Sequence, residues 1–163
     1  MAGRSEDRIT LPLLDRLVDD DPKRSEEAPI SRAQALRELK TAVRRDLEWL
    51  LNTRRVLDYD LPEHVSKSVM YFGLPEYSNL GESRDMVFRE LARRMQDTIA
   101  MYEPRLAGIK VELSPNQETA MRRVSLTIEG LLRVDPSPEL VSFDTSLDLA
   151  NGSYEVKGED GGR

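Results

Sequence analysis

The stretch RRVSLTIEGLLRV at residues 122–134 decides the fold of this chain. Its apolar side chains fall on every second residue and therefore share one face of an extended strand: Val124, Leu126, Ile128, Leu132 and Val134. Gly130 stands where this series requires another apolar side chain. A glycine at such a position indicates a bulge or the close approach of a neighbouring backbone. We therefore expect a strand buried on one face and irregular near Gly130.

The sequence on both sides extends this strand into a sheet. Upstream, residues 109–113 alternate apolar and charged side chains in the same way. Downstream, Asn151-Gly152 is typical of a two-residue hairpin loop. That loop would place Leu147 opposite Val156 and Asp148 opposite Glu155, a like-charge pair. The pattern predicts a small mixed or antiparallel sheet that ends in a C-terminal β-hairpin.

The residues before the sheet follow the helical period instead. A helix is expected to begin at Ser31, a possible cap, because apolar residues then recur every three or four positions: Leu36, Leu39, Val43, Leu47, Leu50 and Leu51. A second long helix should run from Ser83 to just before Pro104, and shorter helices are expected within 11–18 and 62–73. The predicted fold class is α+β, with two long and one or two short N-terminal helices packed on the sheet.

The length and composition suit one domain. The chain has 163 residues, of which 39% are apolar, which allows a single modest core. We expect residues 1–30 to be a flexible N-terminal segment with a short amphipathic helix, residues 31–157 to form the α+β domain, and residues 158–163 to be a disordered tail. The amphipathic leucines within 11–18 would dock either on this domain or on another protein, because so short a helix is marginal alone.

Several function classes are excluded by composition. The chain has no cysteine and one histidine, His64, so a Cys/His zinc site, a thiol nucleophile and a Ser-His-Asp relay lack support. It has no glycine-rich phosphate loop, and we expect no cofactor and no metal. The net charge of −6 argues against nucleic acid as a partner. Without a spanning apolar run or a signal peptide, we expect a cytoplasmic chain with no direct membrane insertion.

The tripeptide Glu103-Pro104-Arg105 lies where the second long helix must end. Pro104 favours extended backbone at Glu103, which would place the carboxylate and the Arg105 guanidinium on the same side. The pair could be two exposed loop charges, a general acid that still needs a second carboxylate, a clamp for an acidic ligand, or part of a protein interface. The last reading is the one that we favour.

Trp49 lies off the apolar stripe of the first long helix. It is two positions from both Leu47 and Leu51, which is roughly 200° around a helix. Such a tryptophan marks a second contact. It either packs under another element of the domain or anchors a partner, where buried tryptophan is over-represented.

Five stretches together carry a resemblance to a known family. The chain resembles the TssE family of type VI secretion baseplate subunits, which is related to the phage T4 baseplate-wedge protein once described as an acidic lysozyme. The likeness covers roughly residues 11–156 and rests on LLDRL at 13–17, RRDLEWLLNTRR at 44–55, SVMYFGLPEYS at 68–78, YEPRL at 102–106 and FDTSLDLANGSYEV at 143–156.

The resemblance implies a structural subunit rather than an enzyme. Such a subunit joins TssF, TssG and TssK in the baseplate wedge, links the wedge core bundle to the TssB/TssC sheath and helps to start sheath assembly. It would be a monomer or low-order oligomer in isolation and present in several copies in the baseplate, on the cytoplasmic side of the inner membrane. The relative's lysozyme label leaves a peptidoglycan hydrolase as the alternative.

The resemblance also assigns partner-binding residues. Glu103, Pro104 and Arg105 match the family's Glu-Pro-Arg motif, which is thought to hold the interface with the wedge core bundle. Trp49, Arg54 and Arg55 are weaker assignments, since they also suit a role in the fold.

Overall fold

Two long helices and a four-stranded antiparallel sheet make up most of the computed structural model, which describes residues 9, 12–17, 31–55, 65, 68–75, 84–114 and 123–158. The elements in chain order are α1 (Leu13–Leu17), α2 (Arg32–Asn52), a 3-10 turn (Val69–Tyr71), α3 (Arg84–Tyr102), β1 (Leu106–Leu113), β2 (Arg123–Leu132), β3 (Glu139–Asp148) and β4 (Ser153–Gly158). The α+β prediction is confirmed, and the sheet is antiparallel throughout, in the order β1-β2-β3-β4.

Helix α2 begins where its cap predicts. The Ser31 side chain accepts a hydrogen bond from the Gln34 backbone N–H at 3.2 Å, which satisfies a donor of the first turn. The buried residues then repeat at helical spacing: Ala35, Leu39, Ala42, Val43, Leu47, Leu50 and Leu51. This apolar stripe gives the helix the face that it packs on the sheet.

Helix α3 ends at Tyr102, as Pro104 requires. Its buried side chains are Phe88, Leu91, Ala92, Met95 and Ile99, together with Thr98. Helix α3 packs against β1 and helix α2 packs against β4, so the two helices lie on the buried face of the sheet. Each fully buried aliphatic side chain of this core stabilises the fold by about 1.5–3 kcal/mol relative to an exposed one.

The predicted alternation of β2 is confirmed, and the irregularity lies opposite Gly130. Val124, Leu126, Ile128 and Leu132 are buried. The β1–β2 register shifts by one residue between Ala107 and Lys110, which is a β-bulge in β1. Gly108 adopts a φ of 58° in this bulge, a conformation that glycine accepts without strain. The extra residue lets both Leu106 and Val111 point into the core.

The C-terminal hairpin is present, but its predicted register was wrong by two residues. Leu147 pairs with Tyr154 instead of Val156, and Asp148 pairs with Ser153 instead of Glu155. The loop has four residues, 149–152, because the Asp148 side chain accepts from the Ala150 N–H at 2.8 Å and the Asn151 side chain accepts from the Ser153 N–H at 2.9 Å. Since the shift is even, the same residues face the core.

An ion pair joins the short N-terminal helix α1 to α2. Leu13 and Leu17 are 70% and 72% exposed, so these two side chains do not dock on this domain, one of the two expected alternatives; the side chains of Leu11, Leu14 and Val18 lie outside the described residues. Instead, Arg45 of α2 donates a hydrogen bond to the Asp15 carboxylate at 2.6 Å. Two exposed leucines on one helix face therefore remain available to a partner.

Several predicted segments fall wholly or partly outside the described residues. These include most of the 1–30 segment, the start of the 62–73 helix with His64, and residues 159–163 of the tail. Gly158 is the last residue of β4. Among the described residues, no helix is both long and apolar enough to cross a membrane.

Candidate functional site

The Glu103-Pro104-Arg105 segment forms the turn between α3 and β1. The Glu103 N–H donates to the Ile99 carbonyl at 2.8 Å, and the Glu103 carbonyl accepts from the Leu106 N–H at 3.1 Å. Glu103 is only 4% exposed, which rules out the reading of two exposed loop charges. Burying a carboxylate is costly unless it is paired and hydrogen-bonded, so its partners define this turn.

Arg105 holds both oxygens of the buried carboxylate. Its Nε donates to Glu103 Oε1 at 2.6 Å, and its Nη2 donates to Glu103 Oε2. The Arg105 backbone N–H also donates to Oε1 at 3.2 Å. The prediction that the two side chains lie on one side of the turn is confirmed. Together they form a bidentate, charge-assisted pair with fixed geometry.

A third residue, Asp46 of α2, completes the site and was missed from the sequence. Arg105 Nη2 donates to Asp46 Oδ2 at 2.7 Å, across a separation of 59 residues. Arg45 donates to the other oxygen of Asp46 from Nε at 3.1 Å and also binds Asp15. Carboxylates and guanidinium groups therefore alternate from α1 through α2 to the start of β1. No local sequence pattern marks Asp46.

The charge of Arg105 is stabilised where it lies. Burial disfavours the charged guanidinium and by itself lowers the pKa of Arg105, but the hydrogen bonds to Glu103 and Asp46 outweigh it and raise the pKa above its ordinary value. The hydrogen bonds to Asp15 and then to Asp46 likewise raise the pKa of Arg45. Both guanidinium groups thus remain cationic donors at every physiological pH.

The pair lies in a groove of about 510 Å³, which we call the motif groove. Its lining includes Pro12 of the N-terminal segment, residues of α2, and the turn itself: Leu39, Arg45, Asp46, Trp49, Leu50, Phe72, Tyr102, Glu103, Pro104, Arg105 and Arg133. Among the residues assigned to partner binding, Trp49 and the three motif residues are thus brought together. Sequence reasoning had no means of joining them, because they come from different elements.

An aromatic row forms one side of the motif groove. The rings of Trp49 and Phe72 meet edge-on with centroids 6.0 Å apart, and Phe72 meets Tyr102 at 5.3 Å. The Tyr102 hydroxyl donates to the Ser68 carbonyl at 2.9 Å. Trp49 is still 67% exposed. It therefore contacts another element of the domain and also keeps most of its surface for a partner.

Further exposed apolar side chains lie on the elements that border the motif groove. Val69 and Met70, in the 3-10 turn just before Phe72, are 83% and 58% exposed. Leu13 and Leu17 of α1 follow Pro12, which lines the groove. These exposed apolar side chains are candidates for contact with a partner that covers the groove.

Arg54 and Arg55 lie outside the motif groove and act within the fold. The Arg55 N–H donates to the Leu74 carbonyl at 2.8 Å, and its guanidinium carbon stands 4.9 Å from the centre of the Tyr71 ring. Arg54 forms a parallel bridge with Leu74, and its guanidinium lies against the hairpin at Gly152. The two arginines fasten the chain after α2 to the 68–75 segment and to the hairpin.

The geometry offers little to a glycoside hydrolase. Both Glu103 oxygens already accept hydrogen bonds from Arg105, so neither is free to protonate a sugar oxygen. Asp46, the other carboxylate in the motif groove, is bound by two arginines. Within the described ranges, no three His, Cys, Asp or Glu side chains gather as a metal site would require.

Trp, Tyr, Phe, Met and Arg are enriched at protein interfaces, and residues of these types supply six of the twelve that line the motif groove. This composition makes the motif groove a candidate protein-binding surface. Residues 37–137 match the family model described as baseplate wedge protein gp25. Because the match covers more than half of the chain, the chain belongs to this family of baseplate wedge proteins. A place in a baseplate implies contacts with other baseplate proteins.

A search of curated proteins found no match to the chain.

Proposed function

We propose that this chain is the wedge subunit of a type VI secretion baseplate. In this role it binds TssF, TssG and TssK and joins the wedge core bundle to the TssB/TssC sheath, whose assembly it helps to start. It does so without catalysis. Membership of the baseplate wedge family supports the structural role, and the five stretches that resemble the TssE family support the secretion system.

The observation that carries the proposal is the pair of side-chain hydrogen bonds by which Glu103 holds Arg105. Glu103 is buried and accepts hydrogen bonds from Arg105 at both oxygens, so it fixes the orientation of a guanidinium that lines the motif groove. Trp49 stands exposed beside it. A rigid arginine next to an exposed tryptophan is the residue chemistry of an interface hot spot. We therefore assign the motif groove to the wedge partner.

The sheath contact would use a sheet edge, and the two edges differ. Asn52 of α2 accepts from the Tyr154 N–H at 2.9 Å and donates to the Tyr154 carbonyl at 2.8 Å, while Arg44 donates to the Val156 carbonyl at 3.1 Å. The outer edge of β4 is thus already capped by α2. A strand added there would have to displace these side chains.

The β1 edge offers its backbone groups instead. The Ser114 N–H donates to the Ser125 carbonyl at 2.9 Å, so by alternation Val111 and Leu113 direct their N–H and C=O groups away from β2. No described residue bonds these groups on that side. Because strand addition uses backbone donors and acceptors, this edge is the better site for a sheath strand.

In this role the chain would lie in the cytoplasm, at a baseplate docked on the cytoplasmic side of the inner membrane. Isolated, it would be a monomer or low-order oligomer, and several copies would enter each baseplate. The net charge of −6 favours protein over nucleic acid as its partner.

Co-purification with TssF and TssG tests the proposal. We expect Arg105→Ala and Glu103→Ala to reduce recovery of the complex, and Arg89→Ala, an exposed residue of α3, to leave it unchanged. Near-wild-type recovery with both motif variants would contradict the assignment. Release of muropeptides by the purified chain, lost in Glu103→Gln, would contradict the non-enzymatic role.

A further inference from the structure

Arg133 follows the last residue of β2, lies next to Arg105 and shares the motif groove with it. The Arg133 N–H donates to the Arg105 carbonyl at 2.8 Å, and both residues line the groove. The two arginines are therefore joined through their backbones where β1 begins and β2 ends, and they border the same groove.

The two guanidinium groups differ in how many of their N–H groups donate hydrogen bonds within the described part of the chain. Arg105 directs Nε and Nη2 to Glu103 and Asp46, but no described residue accepts a hydrogen bond from its Nη1. Arg133 is exposed and forms no ion pair with any residue in the described part of the chain. The groove therefore holds unused cationic donors on two adjacent arginines.

The acceptors of the groove are, by contrast, already used. Both Glu103 oxygens bind Arg105, and the two oxygens of Asp46 bind Arg45 and Arg105. What the charged groups of the groove lack is an anionic acceptor. The edge-on aromatic row beside them lacks an apolar partner. A ligand that completes both must combine a carboxylate with apolar side chains.

From this arrangement we infer that the motif groove binds an Asp or Glu side chain of the wedge partner, which bridges Arg105 Nη1 and the Arg133 guanidinium while neighbouring apolar side chains pack on Trp49 and Phe72. The inference rests on the proposed function for the identity of the partner, and it adds which chemical groups of the partner contact the groove. Glu103 is then a positioning residue, since it is buried, and Arg105 and Arg133 are the contact residues. Arg133 lies outside the Glu-Pro-Arg motif and has no sequence signal of its own.

Affinity measurements with the purified TssF–TssG complex test this division of roles. We expect Arg133→Glu to weaken binding at least about tenfold, because it places a negative charge against the partner carboxylate. Arg133→Lys keeps the charge and should retain most of the affinity. The matched control is Arg89→Glu, which makes the same exposed charge reversal on α3, roughly 20 Å along the helix from Tyr102 at a rise of about 1.5 Å per residue. Circular dichroism confirms that each variant is folded.

The outcomes separate the inference from the proposed function. If Arg105→Ala weakens binding but Arg133→Glu matches the Arg89→Glu control, the inference is overturned and the proposed function stands. If neither Arg105→Ala nor Arg133→Glu changes the affinity, both are overturned. A partner variant in which one Asp or Glu is changed to Arg and which restores binding to Arg133→Glu would identify the bridging carboxylate.

Discussion

Asp46 of α2 and Arg105, in the turn just before β1, are joined by a hydrogen bond of 2.7 Å between Oδ2 and Nη2. This contact gives the Glu103–Arg105 pair a second support from a different element. It also connects the pair through Arg45 to Asp15 of α1. The position of the arginine that we assign to partner binding therefore depends on three parts of the chain.

We predict that Asp46→Asn weakens partner binding more than it weakens the fold. Asp46 pairs with Arg105 and Arg45, and the three side chains are 31%, 24% and 48% exposed, so each lost ion pair should cost about 1 kcal/mol of unfolding free energy or less. Affinity for the TssF–TssG complex should fall several-fold, because Arg105 loses one of its two supports. Asp97→Asn, which removes an exposed ion pair on α3, is the control. Equal affinities for the two variants would contradict the prediction.

Glu103→Gln should destabilise the fold itself. The substitution keeps the shape but removes the charge that compensates a half-buried guanidinium, and breaking such a pair costs about 1–3 kcal/mol after allowance for its partial exposure. Urea denaturation, followed by circular dichroism, measures the change in unfolding free energy. An unchanged midpoint would show that the buried pair does not stabilise this turn.

The regular elements could be predicted, because periods of 3.6 and 2 mark which faces are buried. The α2 stripe and the alternation of β2 depend only on residues within one element. Asp46 could not be found in this way, since its partner lies 59 residues away. The hairpin register was missed because the side chains of Asp148 and Asn151 bond within the loop and lengthen it. A prediction from the Asn151-Gly152 dipeptide alone does not include these side-chain hydrogen bonds.

Asn52→Ala should open the outer edge of β4. The substitution removes two hydrogen bonds to the backbone of Tyr154, each worth about 0.5–1.5 kcal/mol. Hydrogen exchange should show faster exchange of the Tyr154 amide, while the amides of β2 remain protected. Thr41→Ala, an exposed change on the same helix, should alter neither. Unchanged exchange at Tyr154 would mean that Asn52 does not cap this edge.

Glu90 of α3 should titrate far below its ordinary range. Hydrogen bonds from Arg93 and then Arg94 lower its pKa from 4.5 to about 2. Because the folded-state value is depressed, the stabilisation is complete above pH 4.5 and is lost as the pH falls toward 2. Carbon-13 NMR of the Glu90 carboxyl measures the pKa. In Arg93→Gln it should move toward 4.5, and a value already near 4.5 in the unaltered chain would refute the prediction.

The central claim is that the motif groove is the surface that the wedge partner covers. Trp49 is the one tryptophan of the chain, so 5-fluorotryptophan labels the groove at a single position. We predict that its fluorine-19 resonance shifts when unlabelled TssF–TssG is added, and that Arg105→Ala abolishes the shift at the same concentrations. A complex that forms, as shown by size-exclusion chromatography, while the Trp49 resonance stays unchanged would contradict the claim.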